Sequence, residues 1–148
     1  NRISIDLIGD LYHGPAMHSI VFNEKVIEYK EMYFLGILNS KVFWYYISNT
    51  STALRGNAYR LTPEYLKEFS FPQINFQNES EKQSHDRIVS LVNDMLESKK
   101  QLHNAKTDRD KTYYENKCED LDRAIDFEVY KLYGLTEEEI NIVEGKND

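Results

Sequence analysis

The spacing of hydrophobic and polar residues changes along the chain from the period of strands to that of helices. Within residues 2–8, the apolar Ile3, Ile5 and Leu7 alternate with Ser4 and Asp6, which is the two-residue period of a strand with one buried face. A second strand is predicted over residues 18–22. The Gly-Asp and Gly-Pro pairs in residues 9–17 favour a loop between the two strands, so they are predicted to form a hairpin or meander.

Helical spacing of apolar residues follows over residues 29–48, with an interruption at Asn39 and Ser40. This predicts two short helices or one bent helix, because Asn and Ser side chains favour helix caps. Residues 49–60 are polar and keep no sustained period, which predicts a loop. Residues 62–69 begin with Thr-Pro-Glu, a sequence typical of a helix start, so a further short helix is predicted there.

The last part of the chain has two long amphipathic patterns. Apolar residues mark one face over residues 80–104 and again over residues 110–133, and the short polar link between them predicts an antiparallel helical hairpin. Gly134 provides the left-handed residue that often follows a helix. Thr136 and Glu139 have the spacing of a capping box, which predicts a last short helix.

The predicted fold class is therefore α+β. A small mixed α/β platform in residues 1–78 is expected to precede a long antiparallel helical hairpin with a short C-terminal helix in residues 79–148. A chain of 148 residues with 41% hydrophobic residues can form a compact core. Because the chain opens at Asn1 inside a predicted strand, we expect it to be a fragment of a longer protein.

Cysteine content and hydropathy indicate the compartment. The chain has one cysteine, Cys118, so an internal disulfide is excluded. No apolar run reaches the roughly 18 residues of a membrane-spanning helix. We therefore expect a cytoplasmic chain without a membrane partner.

The net charge of −7 is unevenly distributed. Residues 1–76 carry 7 Lys and Arg against 7 Asp and Glu, whereas residues 77–148 carry 11 against 18. Contact with nucleic acid is therefore expected from the first half, because neutralising phosphates needs local positive charge. The acidic hairpin would be repelled by phosphate and is expected to act as a spacer or docking arm.

Catalytic and metal-binding motifs are weak. Asp10, Glu28 and Lys30 loosely match a nuclease arrangement in which carboxylates hold Mg²⁺ and a lysine supports the attacking water. The same Glu-x-Lys spacing recurs at residues 97–99 and 115–117, so the match is unspecific. The four histidines are scattered, and no phosphate-binding, dinucleotide or nucleophile-elbow motif occurs. We expect no catalytic residue and no metal ligand.

The loop after residue 49 concentrates side chains that can read DNA. Arginine can bind guanine, asparagine can bind adenine, and hydroxyl groups can hold phosphates. An ordinary polar loop is the alternative. The predicted DNA-binding residues are Thr50, Ser51, Thr52, Arg55, Asn57, Tyr59 and Arg60, with His13 and His18 as weaker candidates in the other loop.

An ordered set of motifs carries a family resemblance. They are Leu35-Gly36-Ile37-Leu38-Asn39-Ser40-Lys41-Val42-Phe43-Trp44, Leu54-Arg55-Gly56, Tyr59-Arg60-Leu61, Tyr65-Leu66, Phe71-Pro72, Leu121-Asp122, Ile125-Asp126 and Val129-Tyr130-Lys131-Leu132-Tyr133-Gly134-Leu135-Thr136-Glu137-Glu138-Glu139-Ile140. Together they resemble the TaqI-like C-terminal specificity domain of type IIG restriction–modification enzymes, which is related to the target-recognition domains of type I specificity subunits.

The resemblance implies a division of labour. Upstream domains of the same chain would carry a Mg²⁺-dependent nuclease and an S-adenosylmethionine-dependent adenine methyltransferase. This part would recognise the target site on double-stranded DNA, with no catalysis and no cofactor of its own. The alternative is a helical protein-interaction module that joins subunits and does not bind DNA.

Overall fold

The structure, a computed structural model, describes residues 3, 20, 28–54, 58, 59 and 61–146 of the chain. Within those residues, six helices and one pair of short strands form the regular structure. In chain order they are α1 Glu31–Asn39, α2 Lys41–Thr50, β1 Ala53–Leu54, β2 Ala58–Tyr59, α3 Pro63–Glu68, α4 Glu79–Asn104, α5 Asp108–Tyr133 and α6 Glu137–Val143.

Asn39 and Ser40 divide the aromatic-rich segment into two helices, which confirms the interruption predicted there. Ser40 is the N-cap of α2, and its side-chain oxygen accepts a hydrogen bond from the backbone N–H of Phe43 at 3.4 Å. The Asn39 side chain donates to the carbonyl oxygen of Ile3 and accepts from its N–H, both at 2.9 Å. The break thus starts a new helix and also binds the backbone near the N-terminus.

The predicted helical hairpin is confirmed as α4 and α5, which pack along each other. Each helix has 26 residues and is therefore about 39 Å long. Thr107 caps α5 by accepting from the N–H of Asp110, and Gly134 ends it with φ 65°. The predicted capping box of Thr136 and Glu139 opens α6.

One hydrophobic core joins the N-terminal helices to the hairpin. Gly36 of α1 lies directly against α4, since a β-carbon at this position would be 2.8 Å from Cγ2 of Ile88 and 3.0 Å from Cγ2 of Val92. The missing side chain lets the two helices approach closely. This core crosses the domain boundary predicted after residue 78. Its most deeply buried members are Tyr33, Ile37, Phe43, Ile47, Ile88 and Val129.

The predicted α+β fold class is wrong, because the part of the chain that the structure describes is mostly helical. Instead of a mixed α/β platform, residues 28–78 form three helices and the two-residue strands β1 and β2. The apolar faces of α1 and α2 are covered by α4 and α5, so they need no sheet to pack against. The strands predicted over residues 2–8 and 18–22 lie outside the described residues, apart from Ile3 and Ile20.

A histidine is enclosed where the N-terminal segment meets α4. His85 is 1% exposed, and its ring centroid lies 5.0 Å from that of Tyr33 and 5.2 Å from that of Phe76. Its Nε2 accepts from the backbone N–H of Lys30 at 3.3 Å, and its Nδ1 lies 2.9 Å from a carboxylate oxygen of Asp86. Both ring nitrogens therefore have partners, as a buried imidazole requires.

Candidate nucleic-acid interface

Helix α2 has one buried face and one exposed face. Phe43 and Ile47 are fully buried against the core. The opposite side presents Lys41, Tyr45, Ser48 and Asn49 at helical spacing. These four residues, together with the exposed Thr50 and Thr52 at the end of the helix, form the surface called the α2 face below. A helix with such side chains has the width and the hydrogen-bonding groups that fit the major groove of DNA.

Hydrogen bonds to the helix backbone order the polar end of α2. The hydroxyl of Ser48 and the amide of Asn49 both donate to the carbonyl of Tyr45 at 2.8 Å, and the hydroxyl of Thr50 donates to the carbonyl of Tyr46 at 2.8 Å. The remaining Asn49 contact is a longer one, 3.3 Å to the Ser48 hydroxyl. The Asn49 carbonyl oxygen and the hydroxyl lone pairs are therefore positioned to accept bonds from a ligand.

A tight antiparallel pairing follows α2. Ala53 of β1 lies opposite Tyr59 of β2, and Leu54 lies opposite Ala58. Residues 55–57 connect the paired ends and lie outside the described residues. The pairing brings both ends of this connecting segment together beside the end of α2.

Helix α3 contacts α2 and the residue just before β1. The hydroxyl of Tyr46 donates to the backbone carbonyl of Tyr65 at 3.0 Å, and the hydroxyls of Thr52 and Tyr65 are 3.3 Å apart. The ring of Tyr46 also packs against Phe69 of the core, with centroids 5.1 Å apart. The end of the α2 face is therefore held by packing and hydrogen bonds on its buried side.

The structure describes four of the predicted DNA-binding residues. Thr50 and Thr52 are exposed on the α2 face. Ser51 is half-buried, and its hydroxyl oxygen is buried without a partner among the described residues. Tyr59 is half-buried and packs against the core. The other predicted residues, Arg55, Asn57, Arg60, His13 and His18, lie outside the described residues.

Four residues of the α2 face were missed in the sequence because they lie within an aromatic-rich helical pattern. They are Lys41, Tyr45, Ser48 and Asn49. The signal that could have found them is their spacing of four, three and one residues, which places them on one side of a helix. The apolar Phe43 and Ile47 lie on the other side.

An open cleft of about 420 Å³ lies between the α2 face and the end of α6. Tyr45 on one side and Ile142 on the other are each 40% exposed. The cleft therefore extends the α2 face toward the C-terminal helix. The lining residues are Lys41, Trp44, Tyr45, Ser48, Asn49, Ile142, Val143 and Gly145.

The carboxylate beside this cleft is paired within the protein. Glu144 binds Lys146 and Lys41, the latter at 3.0 Å, and accepts from the Tyr130 hydroxyl at 3.2 Å. The hydrogen bonds from Lys146 and then Lys41 lower the pKa of Glu144 to about 2. Its negative charge is thus compensated locally, which reduces its repulsion of an anionic ligand.

A buried carboxylate anchors the start of α2 to the hairpin. Asp126 of α5 is 8% exposed and accepts a hydrogen bond from the backbone N–H of Lys41 at 2.8 Å. Burial raises the pKa of Asp126, and the bond from Lys41 opposes that shift. Between Met32 and Pro63 the sequence contains no Asp or Glu. The α2 face therefore carries no carboxylate of its own.

No protein-family model, curated protein or solved structure matches this chain. The resemblance to type IIG specificity domains consequently rests on the sequence motifs alone. Among the described residues, no group of three or more His, Cys, Asp or Glu side chains is arranged to hold a metal ion. The described helices also include none that is both long and apolar enough to cross a membrane.

Proposed function

We propose that this chain recognises a specific sequence in double-stranded DNA, as the C-terminal target-recognition part of a type IIG restriction endonuclease and adenine methyltransferase. The observation that carries the proposal is the α2 face, an ordered helical surface of hydroxyl, amide, phenol and ammonium groups without a carboxylate. These are the groups that bind base edges and phosphates. The ordered motifs of the sequence supply the link to this enzyme class.

Helix α2 would enter the major groove with its polar end toward the bases. Asn49 can pair with an adenine by accepting from its N6 amino group and donating to N7, which replaces the 3.3 Å contact to Ser48. The exposed ring of Tyr45 would contact a thymine methyl group. Lys41, at the start of the helix, would release the carboxylate of Glu144 and contact a DNA phosphate instead.

The segment between β1 and β2 would add a second reading element. It contains Arg55 and Asn57, and arginine and asparagine side chains can make paired hydrogen bonds to guanine and adenine respectively. Arg60 would contact a phosphate. Upstream domains of the parent enzyme, in the cytoplasm, would carry out catalysis and bind Mg²⁺ and S-adenosylmethionine. This part would recognise the target site.

Asn49→Ala is expected to weaken binding to the recognised site by about 1–3 kcal/mol, with little effect on a scrambled duplex. Asn93→Ala is a matched control, because Asn93 is also exposed and donates to a backbone carbonyl four residues earlier, at 2.9 Å. Fluorescence anisotropy with a duplex selected from a random pool measures both affinities. Equal affinities of the two variants for the selected duplex would remove Asn49 from the reading surface.

Arg55→Ala is expected to weaken binding by about 1–3 kcal/mol and to relax specificity at one base pair if the guanidinium binds a guanine edge. A phosphate contact would instead weaken binding to all duplexes alike. Arg87→Ala on the exposed side of α4 is the control. Repeating the duplex selection with each variant shows whether one position of the site becomes degenerate, and unchanged binding to every duplex would exclude Arg55 from the interface.

A further inference from the structure

The charge of the helical hairpin is divided along its length. Its outer part, residues 98–117 and called the hairpin tip below, carries six basic residues and three acidic ones. The remainder of the hairpin, residues 79–97 and 118–133, carries four basic residues and ten acidic ones. The hairpin tip therefore has a net positive charge, although the C-terminal half as a whole is acidic. The basic residues of the tip are Lys99, Lys100, Lys106, Arg109, Lys111 and Lys117.

These basic side chains are exposed and mostly unpaired. All six residues are exposed to solvent, and only Lys111 has a carboxylate of the described residues within 4 Å, that of Asp108 at 3.8 Å. Asp110 is engaged with the capping residue Thr107 at 2.7 Å. In contrast, Arg123 and Lys131 nearer the core each pair with a carboxylate on the same helix. Five of the six basic side chains of the tip thus have no ion-pair partner among the described residues.

The tip also has an ordered geometry. Arg109, Tyr113 and Lys117 recur every fourth residue of α5, so they form one stripe about 12 Å long. Tyr113 is 60% exposed, and its ring packs edge-on against Tyr114 with centroids 5.0 Å apart. The hydrophobic cluster that joins the N-terminal helices to the hairpin has no member between Leu96 and Leu121 among the described residues. The stripe therefore lies beyond the part of the hairpin that the other helices cover.

We propose that the hairpin tip is a second DNA contact, which binds the phosphate backbone without reading sequence. Unpaired Lys and Arg side chains bind phosphates by releasing condensed counterions, and a phenol hydroxyl can donate to a phosphate oxygen. The acidic part of the hairpin next to the core would be repelled by DNA, so contact is confined to the tip. The identity of the polyanion rests on the proposed function, whereas the position of the contact follows from the charge distribution.

The test compares the triple variant K100Q/R109Q/K117Q with the control K82Q/R87Q/K131Q, which removes the same charge from exposed residues outside the tip. Binding of the complete 148-residue chain to the selected and the scrambled duplex is measured over a range of salt concentrations. The tip variant should make the negative slope of log affinity against log salt less steep by about 2–3. At low salt it should bind both duplexes about tenfold more weakly. The control should change neither quantity to that extent.

The two readouts separate this inference from the proposed function. Equal salt slopes for the two triple variants would overturn the tip contact, whether or not the wild-type chain distinguishes the two duplexes. If the wild-type chain binds both duplexes equally and the affinity of the tip variant depends less steeply on salt, the result would support the tip contact and contradict sequence recognition. A wild-type chain that binds neither duplex at low salt would overturn both. Circular dichroism verifies that both variants keep their helices.

Discussion

Gly36→Leu is expected to destabilise the protein by about 3 kcal/mol or more, because it overfills the contact between α1 and α4. The first carbon of the new side chain would already stand 2.8 Å from Cγ2 of Ile88 and 3.0 Å from Cγ2 of Val92. Both contacts involve β-branched side chains, whose rotamers are restricted. The gain in helix propensity over glycine, about 0.8 kcal/mol, is too small to offset this clash. Urea unfolding followed by circular dichroism measures the difference.

A double-mutant cycle provides the control for Gly36. Ile88→Ala removes the nearer of the two colliding methyl groups at the cost of a cavity of its own. If the clash is the cause, Gly36→Leu should destabilise the Ile88→Ala protein much less than it destabilises the wild type, since contacting residues give non-additive effects. Strictly additive losses would show that α1 and α4 do not meet at this position.

Val129→Asp is expected to destabilise the protein by about 4 kcal/mol or more, which is a large part of the stability of an ordinary domain. Val129 of α5 is fully buried in the hydrophobic core, and a carboxylate there would have no partner. Phe127→Asp is the matched control on the same helix, because Phe127 is 55% exposed. This change should cost less than about 1 kcal/mol.

The thermal transition of the Val129→Asp variant also tests whether the N-terminal helices and the hairpin share one core. Since residues of α1, α2, α4 and α5 belong to one hydrophobic cluster, disrupting this cluster should unfold the N-terminal helices together with the hairpin. We therefore expect near-ultraviolet signals of the buried aromatic residues and the far-ultraviolet helical signal to disappear together. A variant that keeps the near-ultraviolet signal while losing half of its helix would show two independent units.

Local signals in the sequence predicted the helices well, because caps and amphipathic faces act over a few residues. The long periods of α4 and α5, the left-handed Gly134 and the capping box at Thr136 are all present in the structure. Ser40 likewise caps α2. Each of these features depends on backbone groups within one helical turn.

The partner of each buried face could not be predicted in the same way. The apolar residues of α1 show that a face is buried, but a sheet and a helix pair can cover it equally well. The deciding contact is between Gly36 and Ile88, which are 52 positions apart in sequence. The α2 face was missed for a related reason, since Tyr45 belongs to an aromatic run and its exposure depends on which side of α2 the core covers.

The measurement that tests sequence recognition most directly is selection of duplexes from a random pool by the wild-type chain, followed by salt-controlled anisotropy with the selected and a scrambled duplex. We expect that one short sequence is enriched and that it binds about 10³-fold more tightly than the scrambled duplex at physiological salt. Equal binding of both duplexes would contradict sequence recognition. Absence of DNA binding, together with firm association with a protein subunit, would favour the helical interaction module instead.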